Sequence, residues 1–92
     1  MPRQELSNQH LFRIGYAYSK GRGVEHNDET AVEWYTKAAE KGDKKAQCNL
    51  GYFYEHGRGC EIDLVQAMHW YQKSAAQEYQ FAIDAVERLN HN

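Results

Sequence analysis

The chain has 92 residues, 41% of them hydrophobic and 26% charged, with Pro2 its single proline. That is room for one domain with a modest core and uninterrupted helices. A formal net charge of −2 supplies no basic field for a phosphate backbone, and no apolar run approaches the roughly 20 residues of a membrane span, so nucleic acid and membrane insertion are not expected.

Offsetting the chain by 36 residues aligns 10–45 with 46–81 without a gap. Twelve positions are identical: Gly15/Gly51, Tyr16/Tyr52, Tyr18/Tyr54, Gly21/Gly57, Arg22/Arg58, Gly23/Gly59, Glu25/Glu61, Ala31/Ala67, Trp34/Trp70, Tyr35/Tyr71, Lys37/Lys73 and Ala39/Ala75. So many identical aromatic and glycine positions mark an internal duplication, with repeats at about 10–45 and 46–81 and a closing helix at about 82–90.

The first helix is expected near 7–20. Leu11, Ile14 and Tyr18 form one stripe, Ser7 caps the start and Gly21 ends it in the left-handed conformation. The second, near 28–40, starts after Asn27 and carries Ala31, Trp34 and Ala38 on one face, which makes the tryptophan a core residue. The third, near 44–56, repeats the first, with Asp43 as cap and Gly57 as stop. The fourth, near 64–76, follows Asp63, with Gln66 where a capping box would place it, and carries Ala67, Trp70 and Ser74. Its exit lacks the glycine that Gly42 supplies in the first unit. Gly15 and Gly51 should let each first helix approach the tryptophan-bearing helix closely. The last helix, near 80–90, fits the first helix of a third unit through Ala82, Ile83, Val86 and Leu89, with Glu87 and Arg88 replacing Gly and Tyr as a solvent-facing cap would.

Leu50-Gly51-x-x-Tyr54-x-x-Gly57-x-Gly59, then Asp63-x-x-x-Ala67-x-x-Trp70-Tyr71-x-Lys73, resembles the Sel1-like repeat, and residues 14–39 carry the same pattern. Asn27, Cys60 and Ser74 depart from it, as does the missing glycine near 78. The resemblance implies an all-α superhelix of two helical hairpins plus a C-terminal capping helix, related to tetratricopeptide repeats and used as a protein–protein adaptor. The partner would be another protein, the chain a monomer or weak dimer. A neutralising protein that covers a partner enzyme or toxin, or a fragment of a longer array, are the alternatives.

At about 100° per residue, Tyr16 lies roughly 200° around from Ile14. Phe12, Tyr16, Ser19 and Lys20 therefore point away from the second helix, as do their equivalents Cys48, Tyr52, Glu55 and His56 and, on the last helix, Asp84 and Arg88. In tetratricopeptide-like superhelices this side lines the concave groove, which makes these residues the candidate partner-binding set. The competing reading packs the two tyrosines between repeats. Arg22 and Arg58 read as loop charges pairing with Glu25 and Glu61, against the alternative of holding a partner's carboxylate.

No cofactor, metal or catalytic site is expected. The five histidines form no i, i+3 or i, i+4 pair, and Cys48 with Cys60 is not a metal spacing. Nine helical residues would hold those thiols about 13 Å apart. A disulfide wants roughly 7 Å. Cys48, placed early in a helix, has half of what a reactive thiol needs but no base beside it. Free thiols and a start at Met1–Leu6 without an apolar leader suggest the cytoplasm.

Overall fold

The computed structural model describes residues 6–91, so the expectation of no leader at the first residues falls largely outside it. Five helices follow one another: α1 (Asn8–Lys20), α2 (Asp28–Glu40), α3 (Lys44–His56), α4 (Leu64–Ala75) and α5 (Gln80–Asn90). Each boundary has a local cause. The side chains of Ser7, Asn27, Asp43 and Asp63 accept hydrogen bonds from the backbone N–H groups of His10, Thr30, Ala46 and Gln66. Gly21 and Gly57 end α1 and α3 at φ 67° and 68°. At the exit of α4 the place of Gly42 is held by Glu78, which takes φ 62°.

Every helix packs mainly on its neighbours in sequence, and the result is an elongated all-α superhelix of 49 × 28 × 18 Å. Alanines at the contact points (Ala31, Ala38 and Ala39 on α2, Ala46 on α3, Ala67 on α4, Ala82 and Ala85 on α5) are buried and bring the backbones close. Leu11, Leu50 and Phe53 fill the space between them. Two buried polar side chains are satisfied by backbone rather than left unpaired. The Ser74 hydroxyl donates to the Lys44 carbonyl at 2.7 Å, and the Gln47 amide donates to the Ala39 carbonyl at 3.1 Å.

The aromatic core differs from the sequence expectation. Trp34 and Trp70 are only partly buried, on the flank, and the Lys37 ammonium lies 4.3 Å from the Trp34 ring centroid. The adjacent tyrosines are the core rings, Tyr35 with 0% and Tyr71 with 2% of its surface exposed. Ala31, Tyr35, Ala38 and Ala39 share the inward line of α2, so one step of about 100° puts the indole beside the contact instead of in it. Gly15 and Gly51 are the seats of these rings. A Cβ at Gly15 would stand 2.7 Å from Tyr35 Cδ1, and at Gly51 2.8 Å from Tyr71 Cδ1. The equivalent place on α5 is Glu87, so α5 closes the unit without a seat for a third tyrosine.

The two hairpins are pinned together at the glycine loop. Arg58 Nε and Nη2 donate to the two carboxylate oxygens of Asp28 at 3.1 and 2.9 Å. The guanidinium holds the Asp28 carboxyl below its ordinary range. The expected pairing of Arg58 with Glu61 is replaced by this bond across 30 positions. Beside it, Gly59 lies so close to the Asp28 carbonyl that a Cβ would collide with backbone.

Candidate partner-binding face

The candidate residues on α1, α3 and α5 divide into three groups. Ser19 is buried, which corrects its placement as a groove residue: it sits two turns beyond Leu11 on the inward line with Gly15. Its neighbour Tyr35 carries a buried hydroxyl that faces Ser19 and Asn49. Cys48 is also buried, among Ala67, Tyr71, Ala82 and Ala85, because its small side chain lets α5 close over it. Desolvation pushes its thiol up to about 11, the opposite of activation, and Cys48 and Cys60 are both free.

Glu55 forms the second group. Its side chain is 9% exposed, so it is not the open groove charge that the helix geometry suggested. Arg88 grips the carboxylate with both Nη atoms, Nη2 at 2.9 Å from Oε1, and the Tyr71 hydroxyl donates to the same Oε1 at 2.8 Å. The guanidinium, aided by that hydroxyl and opposed by burial, holds the Glu55 carboxyl down at about 2 from an ordinary 4.5. Burial and its bond to the carboxylate push the Tyr71 phenol far up. This triad locks α3, α4 and α5 to one another.

A group with its folded pKa depressed stabilises the fold above its unfolded pKa and stops doing so as pH falls through the folded one. The triad's contribution should therefore be lost between about pH 4.5 and 2. Glu55→Gln should melt lower than the parent at pH 7, with the gap narrowing steadily over that window. A gap that stays constant down to pH 2 would rule the triad out as an ionic lock.

The third group is open to solvent: Phe12 and Tyr16 partly, Lys20, Tyr52, His56, Asp84 and Arg88 more fully. Tyr52, 45% exposed, packs against His56 with ring centroids 4.2 Å apart and planes tilted by 48°. Asp84 accepts from the Gln80 amide at 2.8 Å. Between α3 and α5 lies a cavity of about 490 Å³, open to solvent and floored by Cys48, Tyr71 and Ala85. Tyr52, Asp84 and Arg88 form its walls together with three residues not foreseen from sequence, Asn49, Tyr79 and Phe81. Phe81 is 71% exposed at the mouth. Its signal in the sequence was the lack of any inward position for it beside Ala82 and Ala85.

On α1 a smaller cavity of about 280 Å³ is lined by Phe12, Arg13, Tyr16, Ala17 and Arg22. The Phe12 and Tyr16 rings stack at 6.1 Å, and Phe12 also meets the core ring of Tyr35 at 5.6 Å. Elsewhere, the exposed Leu64 and Val65, with the half-buried Met68 beside them, mark the start of α4. Among the described residues no three His, Cys, Asp or Glu side chains converge as metal ligands, and no helix is long and apolar enough to cross a membrane.

Two helical hairpins with a closing helix, seated ring on glycine and sharing one open aromatic side, define an all-α solenoid repeat protein. The Sel1 repeat matches residues 11–43 and again 44–79, and the chain belongs to the Sel1 repeat family. A Sel1 repeat protein from Oxalobacter formigenes superposes with a TM-score of 0.88 at 46% identity, over 89% of this chain and 34% of that one. The protective antigen c5321 of uropathogenic Escherichia coli, which displays the same repeat fold, gives 0.85 at 34% identity, over 87% and 17%. Helicobacter pylori cysteine rich protein B gives 0.80 at 23% identity, over 85% and 59%, a likeness of fold. The chain thus spans about a third of the first of these proteins and less of the second. No curated protein matches the sequence. Sel1 repeat proteins are generally protein-interaction scaffolds and typically non-catalytic.

Proposed function

We propose that this chain is an interaction adaptor that holds a peptide or helix of a partner protein along the side formed by α1, α3 and α5, with the α3–α5 cavity taking an apolar side chain. The observation that carries this reading is the pairing of a rigid floor with a solvent-exposed aromatic rim. Tyr71 and the Glu55–Arg88 bond fix the floor, while Tyr52 and Phe81 leave large apolar area uncovered at the mouth. Rings already held in place lose little entropy on binding, and concave apolar sites with a few polar groups suit an anchor residue.

The test is quantitative binding of a partner captured from native lysate. Tyr52→Ala with Phe81→Ala should weaken it at least tenfold, since buried aromatic anchors typically contribute about 2 kcal/mol or more. Both side chains are exposed, so the melting temperature should move by no more than a few degrees. Lys37→Ala and Lys73→Ala, on α2 and α4, are the controls and should bind as the parent does. Full affinity in the folded double variant would reject the cavity as the anchor.

A further inference from the structure

Charge on this protein is sorted by helix type. The segments 8–22, 44–58 and 80–90, which carry α1, α3 and α5, hold seven lysines and arginines against three carboxylates. The segments 23–43 and 59–79, which carry α2 and α4, hold three against nine. The surplus is three at 8–22 and two at 44–58. Arg13, Lys20 and Arg22 have no carboxylate partner among the described residues, whereas Arg58 and Arg88 are each closed on one. The Lys20 ammonium and Arg22 guanidinium lie 5.9 and 5.7 Å from the Tyr16 ring centroid, and Arg13 borders the same small cavity.

The duplication shows what such an arginine does when a carboxylate is in reach. Arg58, the counterpart of Arg22, takes Asp28 with two hydrogen bonds, and Gly59 gives the incoming backbone room. The first loop repeats that conformation, with Gly21 and Gly23 at φ 67° and 74° against 68° and 70° for Gly57 and Gly59. Nothing lies within 4 Å of a Cβ built at Gly23. The first loop has the same form, and among the described residues no carboxylate meets its arginine.

We propose that the Phe12–Tyr16 face of α1, with Arg13, Lys20 and Arg22, binds an acidic segment of the partner protein. An apolar side chain lies on the stacked rings and carboxylates meet the three cations, Arg22 taking one as Arg58 takes Asp28. Charge complementarity selects the occupant: the cations are open, grouped about an aromatic surface and uncompensated among the described residues. A nucleic acid backbone fits less well, because Asp84 and Glu87 follow on α5 and Arg58 and Arg88 are already closed on carboxylates. The proposal rests on the assignment of partner binding to the α1–α3–α5 side.

The probes are three fluorescein-labelled peptides with identical leucine and tryptophan positions and acidic, neutral or basic residues between them, read by fluorescence anisotropy. The acidic peptide should bind at least about tenfold tighter than the basic one and weaken as salt rises. Arg13→Gln with Arg22→Gln should cost it about tenfold while leaving the melting temperature in place. Equal affinity for all three peptides, or tighter binding of a single-stranded oligothymidine than of the acidic peptide, would overturn the proposal. So would an undiminished affinity in the arginine variant. With the captured partner, loss on Tyr52→Ala and Phe81→Ala but not on Arg13→Gln and Arg22→Gln keeps the α1–α3–α5 reading and discards the acidic site. Loss on neither discards both.

Discussion

Tyr71→Ala should cost about 3–5 kcal/mol, the range for removing a large aromatic ring from a core, and Trp70→Ala should cost clearly less. The ring of Tyr71 lies on Gly51 with 2% of its surface exposed, and its hydroxyl is a donor to Glu55, so truncation empties the seat and loosens the triad together. Against a total stability of about 5–14 kcal/mol for a domain of this length, that is a large share. Chemical denaturation of the two variants side by side is the check, and a tryptophan variant that melts below the tyrosine variant would reverse the packing described here. Tyr35→Ala should behave like Tyr71→Ala in direction. Its hydroxyl belongs to no ionic triad like that of Tyr71 with Glu55 and Arg88, so the effect should be smaller.

Gly59→Ala should destabilise far more than Gly23→Ala, although the two glycines occupy the same place in the repeat and the same left-handed region. At Gly23 the substitution carries only the backbone cost of a side chain at φ 74°, about 1–2 kcal/mol. At Gly59 the new Cβ meets the Asp28 carbonyl and the Glu29 nitrogen, which are backbone atoms that cannot rotate away. The hairpins must then separate, with a further loss of about 1–3 kcal/mol and weakening of the Arg58–Asp28 bond. Equal melting temperatures for the two variants would show that the loop contact does not hold the repeats together.

The helix boundaries and the duplication were legible because they are local. A capping side chain lies three positions from the N–H it accepts, and a terminating glycine announces its own φ. The choice between Trp34 and Tyr35 was not local. Both recur 36 residues on, and both stand three or four positions from Ala31, so periodicity admits either. The missing Cβ of Gly15, on another helix, decides for the tyrosine. The same limit applied at the candidate face. Glu55 looked free along α3, and its partner Arg88 stands 33 positions away on α5. Arg58 looked paired with Glu61 and instead reaches Asp28 in the other hairpin. Tyr52, His56 and Arg88 kept the exposure that helix geometry assigned to them, because none of the described helices covers that side.

Partner contact on the α1–α3–α5 side is the central claim, and hydrogen exchange on the complex with a captured partner addresses it most directly. Backbone amides in helices exchange through local opening, and a bound segment suppresses opening where it lies. The account predicts added protection in α3 around Cys48–His56 and in α5 around Phe81–Arg88, extending to α1 around Phe12–Lys20, with α2 and α4 exchanging as in the free protein. Protection confined to α4, around the exposed Leu64 and Val65, would contradict it and place the partner on the opposite side of the repeat.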